Sequence, residues 1–285
     1  LNVKVIAIIR KENLAIMLIT SVKNPKIKRV CALRERRERD REGVTVLEGY
    51  RELSRSMDAG IKLTELYHCP DLYLGEHEGE LIARAAAQGA EIYETTSDAL
   101  VKMAYSDRPE GLIALAAMKH KGLDEMPVVP NGLYLVAETI EKPGNLGSML
   151  RSADAVGATG MIICNRQTDV FNPNCIRAST GAIFSVPLAE TSSEEAVEWF
   201  RKHNIRTLAA SPHSHETYTE VDMTQGIAIV VGAEQYGLTD YWMNNADIGV
   251  VIPMLGRMDS LNVATAATIL LYEAARQRNW KASRA

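Results

Sequence analysis

Four cysteines in 285 residues, Cys31, Cys69, Cys164 and Cys175, leave no CxxC pair anywhere in the chain. The paired-thiol zinc sites that need such spacing are excluded, so no metal is expected. Four reduced thiols of a cytoplasmic protein are the simpler expectation. Basic charge is not in excess either: 32 Lys and Arg face 36 Asp and Glu, a net charge of −4. A protein that holds nucleic acid through bulk positive charge is thereby excluded, and charge has to be read locally. No apolar run reaches the length of a membrane span, so no membrane partner is expected. The apolar stretch from Leu1 to Thr20 is broken by Arg10, Lys11, Glu12 and Asn13. It has no clear cleavage site, and we read no signal peptide in it. Neither a GxGxxG fingerprint nor a Walker motif is present, so the chain's ligand need not carry a pyrophosphate or triphosphate. Repeats and low-complexity tracts are absent as well.

What remains is a globular α/β pattern long enough for two domains. Residues 21–43 read as one charged helix or two short ones. They hold nine basic residues, Lys23, Lys26, Lys28, Arg29, Arg34, Arg36, Arg37, Arg39 and Arg41, against four acidic ones. A solvated helix with internal ion pairs is one reading; clustering in an acidic chain favours the other, a phosphate-contacting surface. Strand-like runs follow at Val44–Leu47, Leu63–Tyr67, Glu91–Thr95 and Leu112–Met118, with a helix near residues 79–88. We expect a first domain over residues 19–118. Residues 119–131 contain two prolines and little periodicity, and read as a linker. A second domain over 132–280 alternates cleanly. Its strand runs are Leu133–Ala137, Met161–Cys164, Arg206–Ala210, Ile227–Val231 and Gly249–Ile252. A closing helix spans Asn262–Arg278, where Val263, Ala266, Ala267, Leu270, Leu271 and Ala274 follow three- and four-residue steps. The spacing predicts a parallel sheet covered by helices on both faces.

Three segments of the second domain stand out. Glu141-Lys142-Pro143-Gly144-Asn145 leads through Gly147 to Arg151. Gly232-Ala233-Glu234-Gln235-Tyr236-Gly237 ends one apolar strand. Ile252-Pro253-Met254 runs through Ser260-Leu261-Asn262 into the last helix. Glycines admit close backbone approach, and Glu234, Ser260 and Asn262 place polar groups beside the bends. Together they read as a pocket for a flat, polar small molecule at strand ends. Ser260 and Asn262 also suit a helix start.

In chain order these segments resemble the three motifs of the SpoU branch of the SPOUT RNA methyltransferases, most closely the thiostrepton- and avilamycin-resistance type. The likeness runs from about Ser21 to about Arg278. The third motif is highly specific. The first departs from the usual Asp-Pro lead-in, because Glu141-Lys142-Pro143-Gly144 precedes Asn145. The resemblance implies a deeply knotted α/β catalytic domain preceded by a smaller RNA-binding domain similar to the ribosomal L30/L7Ae fold. It implies S-adenosyl-L-methionine as cofactor, held on backbone from Gly232, Ile252, Met254 and Leu261. It implies structured RNA as substrate, rRNA before tRNA, and a homodimer. Asn145, Arg151, Glu234, Ser260 and Asn262 are the catalytic set that it carries over. Asn145 is expected to orient Arg151 or the target ribose, and Glu234 to fix Arg151 by an ion pair or to position the nucleotide.

The reaction so implied is methylation of a ribose 2′-hydroxyl. A hydroxyl is a weak nucleophile, so alignment with the methyl group and help in shedding its proton are what a protein must add. Guanidinium does not readily deprotonate, which favours Arg151 as a grip on phosphate and developing alkoxide charge. Asn172 through Ala182 also resembles the family, and Arg177 and Ser179 are candidates to face RNA. His213 and His215 lack a supporting acidic or thiol group and read as a solvated loop, and Cys175 has no base assigned to it. A non-catalytic RNA-binding factor retaining the fold is the rival reading; a nucleotide-dependent oxidoreductase is a third, disfavoured by the missing glycine fingerprint.

Overall fold

A computed structural model describes residues 16–283, and most of the Leu1–Thr20 stretch lies outside the described residues. The chain divides into two compact units. One takes residues up to Lys119 together with Phe171–Phe184; the other takes His120–Val170 and the chain from Ser185 onward.

In the first unit, β1 (Ile16–Ile19), α1 (Pro25–Ala32) and α2 (Arg36–Glu42) lead to β2 (Val44–Glu48) and α3 (Tyr50–Asp58). Then come β3 (Leu63–His68), α4 (Glu78–Ala87), β4 (Glu91–Thr95), α5 (Ser97–Met103) and β5 (Leu112–Ala117). The sheet order is β1-β4-β3-β5-β2, with β3, β4 and β1 parallel and β5 antiparallel to both its neighbours. The charged stretch forms two helices for local reasons. The Asn24 side chain accepts from Lys26 N ahead of Pro25 at the first turn, where a missing N–H costs nothing. Gly43, at φ 66°, closes α2 in the left-handed region. The core gathers Ile27, Val30, Leu33, Val46, Tyr67 and Ile113. Later in sequence, Phe171–Phe184 adds the short helix α7 (Pro173–Ala178), and Thr45 Oγ1 donates to Phe171 O at 2.8 Å.

The second unit holds β6 (Leu133–Glu138), α6 (Pro143–Ala155), β7 (Gly160–Cys164) and β8 (Leu188–Thr191). It continues with α8 (Ser193–Lys202), β9 (Arg206–Ala210), β10 (Glu216–Thr217) and β11 (Ile227–Val231). It ends with α9 (Asp240–Asn245), β12 (Ile248–Val251) and α10 (Val263–Gln277). All seven strands are parallel, in the order β10-β12-β9-β11-β6-β7-β8. The central strands β6, β7 and β11 are buried at every position, as expected where both faces are covered. One face packs Tyr134, Val136, Ile162 and Val230 against Val197 and Phe200 of α8 and Trp242 of α9. The alternate residues of β6 and β11 face α10, which packs beside α6. After β8 the chain returns to the other side of β6 to lay down β9. That reversal is a topological switch point, and ligands of open α/β sheets gather at the carboxyl ends of the strands beside one.

Candidate active site

Because every strand of the second sheet runs the same way, the loops after β6, β9, β11 and β12 leave from one edge. A cavity of about 730 Å³ lies there, lined by residues of the last three loops. Gly232, Ile252, Met254 and Leu261 all line it, as do Glu234 and Ser260. Its charged lining is one-signed: Glu234, Asp240 and Asp259 contribute carboxylates, and no Lys or Arg takes part. Gly232 also has a packing reason to be glycine. A Cβ there would collide with the backbone of Gly237 and Leu238, so only a bare Cα lets the loop fold back on itself.

Three sequence-distant side chains meet beside the cavity. Glu234 Oε1 accepts from Asn145 Nδ2 at 2.7 Å and from Asn262 Nδ2 at 2.6 Å. The other N–H of Asn262 reaches Asn145 Oδ1 at 3.2 Å. Asn145 stands in the first turn of α6. Asn262 caps α10, its Oδ1 accepting from Ala264 N at 3.0 Å and Thr265 N at 3.3 Å. Capping and site roles therefore coexist in one residue. The second oxygen of Glu234 accepts from Lys142 Nζ. Lys142 and then Asn145 hold the Glu234 carboxyl below its ordinary range, so it stays ionised.

Arg151 does not join this cluster. The expected Arg151–Glu234 pair is replaced by Lys142–Glu234, and Arg151 is exposed, with no hydrogen bond or ion pair to the described residues. Helix geometry supplies the reason. Six residues turn the helix by roughly 240° and advance it by about 9 Å, so Asn145 and Arg151 leave different faces of α6. Ser260 is likewise exposed and lines the cavity, with no side-chain hydrogen bond to the described residues.

A buried network secures the loop that carries Glu234. Glu138, at the end of β6, has no exposed surface. It accepts from Thr239 N at 2.9 Å, Thr239 Oγ1 at 2.7 Å and Ser193 Oγ at 2.9 Å. Ser193 Oγ in turn accepts from Trp242 Nε1 at 2.9 Å. Through these three hydrogen bonds the buried Glu138 ties the far end of the Gly232–Leu238 loop to the sheet. Sequence reasoning missed Glu138 and Lys142 as well as the acidic lining at Asp240 and Asp259. The one available signal was Lys142, which stands where the expected lead-in carries Asp.

In the first unit the basic stretch is largely occupied with its own fold. Lys26 and Arg29 pair with Glu65, Glu91 and Glu42. Arg36 pairs with Asp40 and Arg41 with Glu38. Buried Arg39 donates to Leu33 O and Arg34 O, and Arg34 donates to Lys102 O and Ala104 O. That leaves Lys23, Lys28 and Arg37 as exposed cations without an ion pair to the described residues. The phosphate-contacting reading thus narrows from nine residues to three. Ser179 is fully buried and donates to Ile176 O at 2.7 Å, so it ends a helix and faces no RNA. Arg177 donates to Ser106 Oγ at 3.3 Å. His213 lines the cavity, and no group of three His, Cys, Asp or Glu that could hold a metal occurs among the described residues. None of the four cysteines forms a disulfide. No helix of the described residues is long and apolar enough to cross a membrane.

Comparison with known proteins covers both units. A profile described as the SpoU rRNA Methylase family matches residues 132–272, and one described as an MRM3-like substrate binding domain matches residues 24–114. The 23S rRNA (uridine(2479)-2'-O)-methyltransferase of Streptomyces viridochromogenes is 33% identical over 255 residues, spanning 86% of this chain and 87% of its own. A solved RNA 2'-O ribose methyltransferase superposes with a TM-score of 0.82 at 40% identity, over 92% of this chain and 100% of the other. An AdoMet-bound rRNA methyltransferase from Sinorhizobium meliloti gives 0.84 at 28% identity, over 92% and 98% of the two chains. These matches agree with the expected fold, a parallel sheet between helices preceded by a separate α/β unit. Its three motif segments meeting at Glu234, this chain belongs to the SpoU rRNA methylase family.

Proposed function

We propose that this chain transfers a methyl group from S-adenosyl-L-methionine to a ribose 2′-hydroxyl of large-subunit rRNA. One observation carries the reading: Glu234 belongs both to the wall of an acidic cavity and to the amide cluster that unites the three motif segments. The cavity fits the cofactor in size and sign. About 730 Å³ lies within the range of small-molecule sites. Lys142 offsets the charge of Glu234, and Asp240 and Asp259 add two further carboxylates with no Lys or Arg among the lining residues, so the wall suits a sulfonium and an ammonium better than a pyrophosphate. The same sign argues against a dinucleotide-dependent oxidoreductase. Backbone at Gly232, Ile252, Met254 and Leu261 would hold the cofactor, which supplies an electrophilic methyl carbon when bound.

The chain's own residues supply alignment and charge. Asn145 keeps one N–H and part of its Oδ1 unused after joining the cluster, and these can orient a ribose. Arg151, exposed and without an ion pair to the described residues, is available to grip the neighbouring phosphate and to stabilise alkoxide charge as the hydroxyl loses its proton. Residues 19–118 bind and position RNA, with Lys23, Lys28 and Arg37 as phosphate contacts, and residues 132–280, apart from Phe171–Phe184 of the first unit, carry out the transfer. The reading includes a knotted C-terminal segment, a homodimer and action in the cytoplasm.

Large-subunit rRNA is preferred to tRNA because relatives matched over most of their length are named for 23S rRNA. Labelled methyl transfer from AdoMet to rRNA, followed by nuclease mapping, tests the proposal. Label at a ribose 2′-oxygen is expected. Label on a base atom would overturn the assigned acceptor. RNA binding without transfer would favour the non-catalytic RNA-binding factor.

A further inference from the structure

Lysine at position 142 has no local explanation. Lys142 is the N-cap of α6, and its side chain makes no capping hydrogen bond. Five of the other nine α-helices among the described residues are capped by a side-chain acceptor, Asn24, Thr96, Asn172, Ser192 or Asn262, and four, behind Glu35, Gly49, His77 and Thr239, are not; none of the nine N-caps is a lysine or arginine. A cation at a helix N-terminus also opposes the helix dipole. Its side chain is 68% exposed, so burial does not require it. A residue that breaks the local rules of its element points to a role beyond folding.

The ion pair with Glu234 supplies that role. Among the described residues Lys142 is the only cation paired with this carboxylate, and it takes the oxygen that the two carboxamides leave free. Without it Glu234 could rotate and present either oxygen to either amide. We propose that Lys142 is a positioning residue: by fixing Glu234, it sets the orientation in which Asn145 and Asn262 meet the substrate. This rests on the methyl-transfer reading. The groups facing Glu234 are Lys142, Asn145 and Asn262, and Glu141 is the acidic neighbour on the lysine side. Lys142 also helps keep Glu234 ionised, so its loss should let the carboxyl protonate at higher pH.

The test compares Lys142→Met and Lys142→Arg with wild type. The methionine variant should fold normally, bind AdoMet with unchanged affinity and lose about three- to tenfold in kcat, between an exposed ion pair and one shielded by bound RNA. The acid limb of its pH–rate profile should move to higher pH, and the arginine variant should restore both. A second readout needs no activity: carboxyl NMR titration of Glu234, assigned with Glu234→Gln, should show a higher midpoint in Lys142→Met. That titration stands even if wild type methylates no RNA, so failure of the functional reading and failure of this inference are distinguishable. An unmoved midpoint would overturn the proposal. So would unchanged kcat with weaker RNA binding and a shallower salt dependence, which would make Lys142 a phosphate contact.

Discussion

At the scale of single residues, the site is three carboxyl and amide groups knitted together and one guanidinium left apart. Arg151→Ala should therefore leave stability nearly unchanged and weaken RNA binding only by one phosphate contact, while lowering kcat on the order of a hundred- to a thousandfold, the usual cost of removing a preorganised group at developing charge. Thermal unfolding, filter binding and single-turnover methylation separate these effects. Gly232→Ala should act differently. Its Cβ has nowhere to go except against Gly237 backbone, so the loop must open and AdoMet affinity should fall while the sheet stays intact. Calorimetric titration with AdoMet checks that. The residues of the cluster were legible in the sequence, because Pro, Ser, Leu and Asn at the third motif's spacing are so specific. Their partners were not. Asn145 meets Glu234 across 89 positions and Asn262 across 117. Which amide reaches which oxygen depends on how the loops fold, and a lysine outside the expected pattern took the place assigned to Arg151.

Secondary-structure elements were legible where apolar runs had sharp ends. Glu91–Thr95, Arg206–Ala210 and Ile227–Val231 are strands with those bounds. The edge strand β8 escaped notice, since Leu188–Thr191 buries one position only and carries two polar residues. β10, two residues long, had no period to detect. The two short helices of the charged stretch were expected as helices; the ion pairs given less weight hold Lys26, Arg29, Arg36 and Arg41, while Arg34 and Arg39 are held by backbone carbonyls instead. The start of α10 allows capping to be separated from site function. Asn262→Ala should cost about 1 kcal/mol through lost capping and should also lower turnover. Asn262→Asp keeps an acceptor for Ala264 N and Thr265 N but sets a carboxylate against Glu234. It should recover most of the stability and little of the turnover, as urea unfolding and methyl-transfer assays would show.

Across the whole molecule the two units should answer to different conditions. Fully buried His68 in the first unit lies with Nδ1 2.8 Å from Tyr73 OH. Burial lowers its imidazole from 6.5 to about 4. Above the higher value both folded and unfolded chains hold it neutral. Between the two values the unfolded chain takes up a proton that the folded one refuses, so stability falls with pH by about 1.4 kcal/mol per unit. Urea midpoints for the first unit should drop from pH 7 to pH 5, and His68→Asn should flatten the slope. AdoMet should stabilise the second unit instead, by about 2.7 kcal/mol at a hundred times its Kd, visible as slower amide exchange in residues 185–283 and not in 16–119. The division into units has a consequence for biosynthesis. The first unit is discontinuous: Thr45 finds its acceptor only at Phe171, and α7 belongs to the fold begun before Lys119. At about 5–20 residues per second, a ribosome needs several seconds to pass from one stretch to the other. Throughout that interval the nascent unit has an unfilled seam, which is when a chaperone would find it.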